Sequence, residues 1–172
     1  MTRAAAPAAS DPPASEGGSK AMFKLSKKML FALEAVVDIA YNGRAEPVQS
    51  KQINRRQGIP QRYLEQVMQQ LVRADILKGV RGPRGGYVLA RERRRITVGE
   101  IISVVSSLEK GADLTDYGSA SELGRMVVKP LIDNLNKEIM EKLNAITIQD
   151  LCTRADECGV KSKAARDLDF TI

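Results

Sequence analysis

The sequence predicts a mainly α-helical fold with one small β-wing, followed by a long C-terminal helix. Three observations lead there. Apolar residues recur at helical spacing through most of the chain. Only two short β-like runs occur, Ile76-Leu77-Lys78-Gly79-Val80 and Tyr87-Val88-Leu89-Ala90, and the glycine-rich segment Arg81-Gly82-Pro83-Arg84-Gly85-Gly86 joins them. A turn of that composition between two apolar runs reads as a hairpin. Near the C-terminus, Val128, Ile132, Leu135, Ile139 and Ile146 keep a four-three rhythm, with Leu131 and Leu143 broadening the stripe.

Each element has its own local signal. A first helix is expected from about Ser26 to Tyr41, with Leu30, Leu33, Val37, Ile39 and Ala40 as its apolar stripe and Asn42-Gly43 as its stop. A short helix over Ser50 to Gln57 ends at Gly58, where a left-handed C-terminal cap is wanted. Pro60 then opens a third helix reaching about Ala74, with Leu64, Val67, Met68 and Leu71 facing the core. After the hairpin, Thr97 and Glu100 form a capping box that opens a helix to about Ser106. Ser119 and Glu122 form a second box, opening a long helix to about Asn144, and Pro130 should kink or break it in its first turns. Thr147 to Asp150 starts a last short helix through about Ala155.

These elements divide the chain into a disordered tail over 1–21, a winged helix-turn-helix over 22–106 and a polar loop over 107–118. A dimerisation helix with its short companion over 119–159 and a loose tail over 160–172 complete it. The long helix is expected to bury its stripe (Val128, Ile132, Leu135, Ile139) against a second copy of the chain; packing back onto its own domain is the alternative.

Charge adds function to the outline. The 172 residues carry a net charge of +6, unevenly placed. Residues 51–95 hold twelve Lys or Arg against three Asp or Glu, whereas residues 96–172 hold nine against thirteen. A basic block over the helix-turn-helix and wing, then an acidic helical half, is the footprint of a nucleic-acid module joined to an assembly or sensing module. A solvated basic face without a partner is the plainer alternative. The third helix turns Arg62, Glu65, Gln66, Gln69 and Arg73 outward. Gln66 and Gln69 can bond adenine edges, Arg62 can reach guanine or phosphate, and Glu65 can accept from cytosine N4. Arg81 and Arg84, at the hairpin tip, suit a minor groove or backbone phosphates. Tyr63 reads as a packing residue. The turn Arg91-Glu92-Arg93-Arg94-Arg95 reads equally as a phosphate contact or a solvated linker.

Other function classes recede. The chain has no histidine and no tryptophan, which removes His-based triads, His-containing zinc sites and imidazole bases. No phosphate-binding loop ending in Gly-Lys-Ser/Thr is present, and Gly82, Gly85 and Gly86 precede a strand rather than a helix. An enzyme is not expected. No apolar run is long enough to cross a membrane, and residues 1–20 lack the pattern of a secretory signal. With two cysteines and no export signal, a reducing, cytoplasmic setting is expected.

The residues resemble a known family, the Rrf2 family of bacterial winged-helix regulators, and within it the iron–sulfur cluster regulators. The resemblance runs over about residues 22–155. Its motifs are Leu25-Ser26-Lys27, Arg56-Gln57-Gly58-Ile59, Tyr63-Leu64-Glu65-Gln66, Val80-Arg81-Gly82-Pro83, Gly85-Gly86-Tyr87, Ile96-Thr97-Val98-Gly99-Glu100-Ile101-Ile102 and Leu143-Asn144-Ala145-Ile146-Thr147. It implies a transcriptional regulator, with repression the expected mode, acting as a homodimer on a pseudo-palindromic operator in double-stranded DNA. It sets base-reading positions on Arg62, Glu65 and Gln66, with Arg81 in the wing.

It also implies a cluster held by three cysteines, in some members with a histidine, yet those positions fall here on Leu114, Ala120, Met126 and Lys129. No cofactor is therefore expected. Cys152 and Cys158 keep a five-residue interval further on. They read either as ordinary thiols, Cys152 packed and Cys158 exposed, or as a redox switch or ligands of a cluster shared by two subunits. Loss of the usual sensor also leaves open an interaction regulator controlled by docking of a metabolic enzyme or other protein partner.

Overall fold

The computed structural model describes residues 25–43, 46–107 and 121–162. The proposed N-terminal tail, nearly all of the polar loop and most of the C-terminal tail lie outside them, as do Ser119 of the second capping box, Leu114 and Ala120.

The described chain is mainly helical with one two-stranded antiparallel sheet. Helix α1 (Lys27–Asn42) is capped by Ser26, whose Oγ accepts from the Met29 N–H at 3.2 Å. Helix α2 (Ser50–Gln57) ends at Gly58 with φ 66°, the left-handed cap read from the sequence. Helix α3 (Gln61–Arg73) follows Pro60. Strands β1 (Leu77–Val80) and β2 (Gly86–Leu89) pair with Leu77 opposite Leu89 and Val80 opposite Gly86. A 3₁₀ turn (Arg93–Arg95) leads to helix α4 (Val98–Ser106), opened by the Thr97–Glu100 capping box. Helices α5 (Lys129–Asn144) and α6 (Ile148–Glu157) complete the order.

The core forms around α1. Ala32, Ala35, Val36, Ile39 and Ala40 are buried there with Leu64, Val67, Met68 and Leu71 of α3, Ile101 and Val105 of α4, and Ile148 and Cys152 of α6. This corrects part of the stripe expected for α1: Ile39 and Ala40 are buried as expected, and Leu33 and Val37 pack at the edge of the core. Leu30 is 43% exposed and Leu33 and Val37 are only half-buried. The alanine face points inward because α1 packs against α3, α4 and α6, and small side chains permit close helix approach.

Asp38 is the buried charged residue of the described chain. Its carboxylate accepts from Arg56 Nε at 2.8 Å and Nη2 at 2.6 Å, from Gln57 Nε2 at 3.0 Å and from Asn42 Nδ2 at 3.1 Å. A buried carboxylate needs such compensation to remain folded in. The result is a polar pin between α1 and α2. Three residues further along α1, the Tyr41 hydroxyl donates toward Asp156 Oδ1 at 2.6 Å, with the Val160 carbonyl at 2.5 Å, and ties α6 to α1.

Pro130 has the expected local effect, in a specific form. The chain enters α5 through a π-helical turn (Gly124–Val128), with the Lys129 N–H bonded to the Gly124 carbonyl. Proline has no N–H to continue an α ladder and crowds the carbonyl four residues before it. Inserting one wider turn relieves that crowding without ending the helix.

The C-terminal end of α5 is fastened to the start of α4. Val98 N–H donates to the Ile146 carbonyl and Ile148 N–H to the Ile96 carbonyl, both at 2.9 Å. Gly99 permits this approach: a β-carbon there would overlap the Asn144 side chain and stand 3.0 Å from its backbone nitrogen.

Candidate nucleic-acid interface

The local sequence of α3 determines which residues face outward. With Leu64, Val67, Met68 and Leu71 buried, helical geometry turns Arg62, Glu65, Gln66 and Gln69 away from the core, and all four are exposed. Arg81 and Arg84 are likewise exposed at the wing tip. Val48 extends the wing on its far side, exchanging two backbone bonds with Tyr87 at 2.9 Å each.

Contacts hold the three parts as one surface. Gln49, just before α2, donates to the Pro83 carbonyl of the wing at 3.5 Å. Gln61, at the start of α3, reaches Ser50 Oγ of α2 at 3.4 Å and donates to Glu65 Oε1 at 2.8 Å. Glu65 is thus steadied from one turn before it. Sequence reasoning missed Gln61 in this role, although its four-residue interval to Glu65 is a helical pairing signal.

Engagement separates the arginines into two groups. Arg56 is bound to Asp38. Arg91 donates to the Asp75 carbonyl at 3.0 Å, the Arg95 carbonyl at 3.1 Å and Glu100 Oε1 at 3.1 Å. Arg91 therefore braces the base of the wing, which settles part of the open reading of the basic turn; Arg94 and Arg95 remain exposed. Among the described residues, Arg62, Arg81, Arg84, Gln66 and Gln69 form no side-chain hydrogen bond or ion pair. Cations and amides without intramolecular partners, on a helix face and an adjacent hairpin, offer donors to an anionic, hydrogen-bonding ligand.

The predicted dimerisation residues divide. Leu135 is 45% exposed, whereas Val128, Ile132 and Ile139 are half-buried on the helix that packs against α4. The most open apolar row is Leu123, Val127, Leu131 and Leu135, with Met126 beside it. The π-turn and α5 therefore carry more uncovered apolar surface than the stripe alone indicated.

The positions that the resemblance sets for cluster ligands carry no cluster donor. Of the positions set by the resemblance, Met126 is 69% exposed and Lys129 pairs with Asp133 at 3.6 Å. Leucine, alanine and lysine supply no cluster ligand. Cys152 is buried on α6 and Cys158 is exposed at its end. Six helical residues separate their α-carbons by about 9 Å along the axis, beyond the roughly 7 Å a disulfide spans. An intramolecular disulfide would require α6 to unwind.

Comparison with known proteins agrees with this architecture. The family model Rrf2, described as an iron-dependent transcriptional regulator, matches residues 25–154. The HTH-type transcriptional regulator IscR of Escherichia coli is 31% identical over 140 residues, which is 81% of this chain and 86% of IscR. The solved structure of T. potens IscR superimposes with a TM-score of 0.66 at 34% identity, covering 83% of this chain and 96% of that one. That of CymR, the global cysteine regulator of B. subtilis, gives 0.60 at 30% identity, covering 77% and 98%. These relatives are regulators, not enzymes. The chain belongs to the Rrf2 family of winged-helix transcriptional regulators.

Proposed function

We propose that this regulator binds a pseudo-palindromic operator as a homodimer and represses from it, with α3 in the major groove and the wing against the minor groove or backbone. The observation that carries the reading is the contrast in engagement: the scaffold arginines Arg56 and Arg91 are bound internally, while Arg62, Arg81 and Arg84 face outward with none of the described residues as partners. Arg62, Glu65, Gln66 and Gln69 read bases, and Arg81 and Arg84 grip the wing's side of the duplex. The uncovered apolar row of α5 supports the homodimer, because a helix face of that kind is stable in water only when covered.

No resident cluster is needed for this activity, and the donor set argues against one. The test is selection of duplexes from a random pool by the full chain. The expected outcome is enrichment of a two-fold symmetric site, with affinity falling steeply as salt rises. Arg81→Ala should weaken binding to that site by about 1–3 kcal/mol. Protein prepared without oxygen should carry neither iron nor acid-labile sulfide and still bind. Failure to enrich any sequence would refute the reading, and iron-dependent binding would refute its cofactor-free form.

A further inference from the structure

Beside the outward face of α3 lies a cleft of about 300 Å³, lined by Lys28 of α1 and by Tyr63, Gln66, Val67, Gln69 and Gln70 of α3. Two observations make it more than a surface dent. The Tyr63 ring is held against Phe31, centroids 6.4 Å apart, while the residue stays 42% exposed. The residue thus packs through its ring and still lines the cleft. Second, Gln49, Gln52, Gln57, Gln61 and Gln149 each make a side-chain hydrogen bond. The glutamines that make none among the described residues are Gln66, Gln69 and Gln70, the three that line the cleft, and Lys28 and Tyr63 make none either.

We infer that this cleft seats one backbone phosphate of the bound duplex, with Lys28 as its cation and Tyr63 and Gln70 as neutral donors. The inference rests on the proposal that α3 enters the major groove. A helix about 10–12 Å across fills a groove about 12 Å wide. Its outermost side chains then meet base edges, and its flanks meet the phosphates that wall the groove. Tyr63 and Gln70 occupy the flank toward α1, whereas Gln61, bonded to Ser50, occupies the flank toward α2. The phosphate seat thus closes the side of the recognition helix opposite the wing. The ligand chemistry is that of a phosphate anion, and DNA is its source.

The test uses the full chain and the selected operator. Lys28→Gln should lower the slope of log affinity against log salt by about 1.8, the share of one phosphate for each of the two subunits, and leave the preference for operator over shuffled duplex unchanged. Tyr63→Phe and Gln70→Ala should each weaken binding several-fold with the slope unchanged. Thermal melting of each variant controls for folding. A scan of methylphosphonates placed symmetrically in both half-sites should find one position per half-site at which wild type and Lys28→Gln bind alike. An unchanged slope for Lys28→Gln, or no equalising position, overturns the proposal. So does inorganic phosphate that raises the melting temperature of wild type but not of Lys28→Gln, at matched ionic strength, because the cleft would then hold a free anion. If wild type binds no duplex at all, the operator reading fails instead, a distinct result.

Discussion

Helices α3 and α5 are similar in length and both amphipathic, yet they leave opposite faces unsatisfied. In α3 the apolar residues Leu64, Val67, Met68 and Leu71 are all buried, and the polar face stands open. In α5 no residue is buried, and Leu131 is 57% exposed. The difference teaches what each helix lacks. α3 has its core and lacks polar partners, which the proposed operator would supply; α5 lacks apolar cover, which a second copy would supply in the proposed dimer.

Removing the apolar row of α5 should have the largest effect. Replacing Leu131 and Leu135 together by Glu should leave a folded monomer in analytical ultracentrifugation. It should also weaken operator binding by about 100- to 10,000-fold, because linkage of two half-site contacts is lost. A variant that stays dimeric would move the interface elsewhere. Arg81→Ala should also weaken DNA binding, but with the dimer intact.

A smaller effect concerns the scaffold that orients α3. Asp38→Asn should reduce stability to urea by about 3 kcal/mol. That is the low end for breaking a buried pair, since the Arg56 side chain keeps 21% of its exposure. An unchanged midpoint would show that the α1–α2 pin is dispensable.

The smallest effect is a pH dependence at the start of α6. Hydrogen bonds from the Thr147 hydroxyl and N–H hold the Asp150 carboxyl below its ordinary value of 3.8. A depressed folded value means that the capping box contributes fully above that ordinary value and is lost as pH falls through the folded one. The difference in melting temperature between wild type and Asp150→Asn should accordingly shrink as pH is lowered from about 5 to about 2. A difference constant across that range would show no linkage.

Local chemistry made much of this molecule legible in advance. Thr97 and Glu100 are three residues apart and need no tertiary context to cap a helix. The outward face of α3 followed from periodicity alone. The inward face of α1 did so only in part: Ile39 and Ala40 are buried, but Leu30, Leu33 and Val37 are more apolar than Ala32 and Ala35, which take the deepest places. Only packing against α3, α4 and α6 favours the smaller side chains. The pairing of Val48 with Tyr87, the Asp38–Arg56 pin and the Lys28 cleft join residues distant in sequence, and no spacing rule announces them. Gly99 and Asn144 stood in two separate motifs, and only their contact explains why both residue types are required.

The fastening of α5 to α4 has a consequence for what the protein can recognise. Two backbone hydrogen bonds and the close seat of Gly99 against Asn144 tie the end of the long helix to the body that carries α3. In the proposed dimer, α5 therefore acts as a ruler. The angle at which two copies cross sets the distance between their recognition helices, and that distance becomes the spacing of the half-sites. A side chain at position 99 would recalibrate the ruler, changing which operators fit without touching a single base-reading residue.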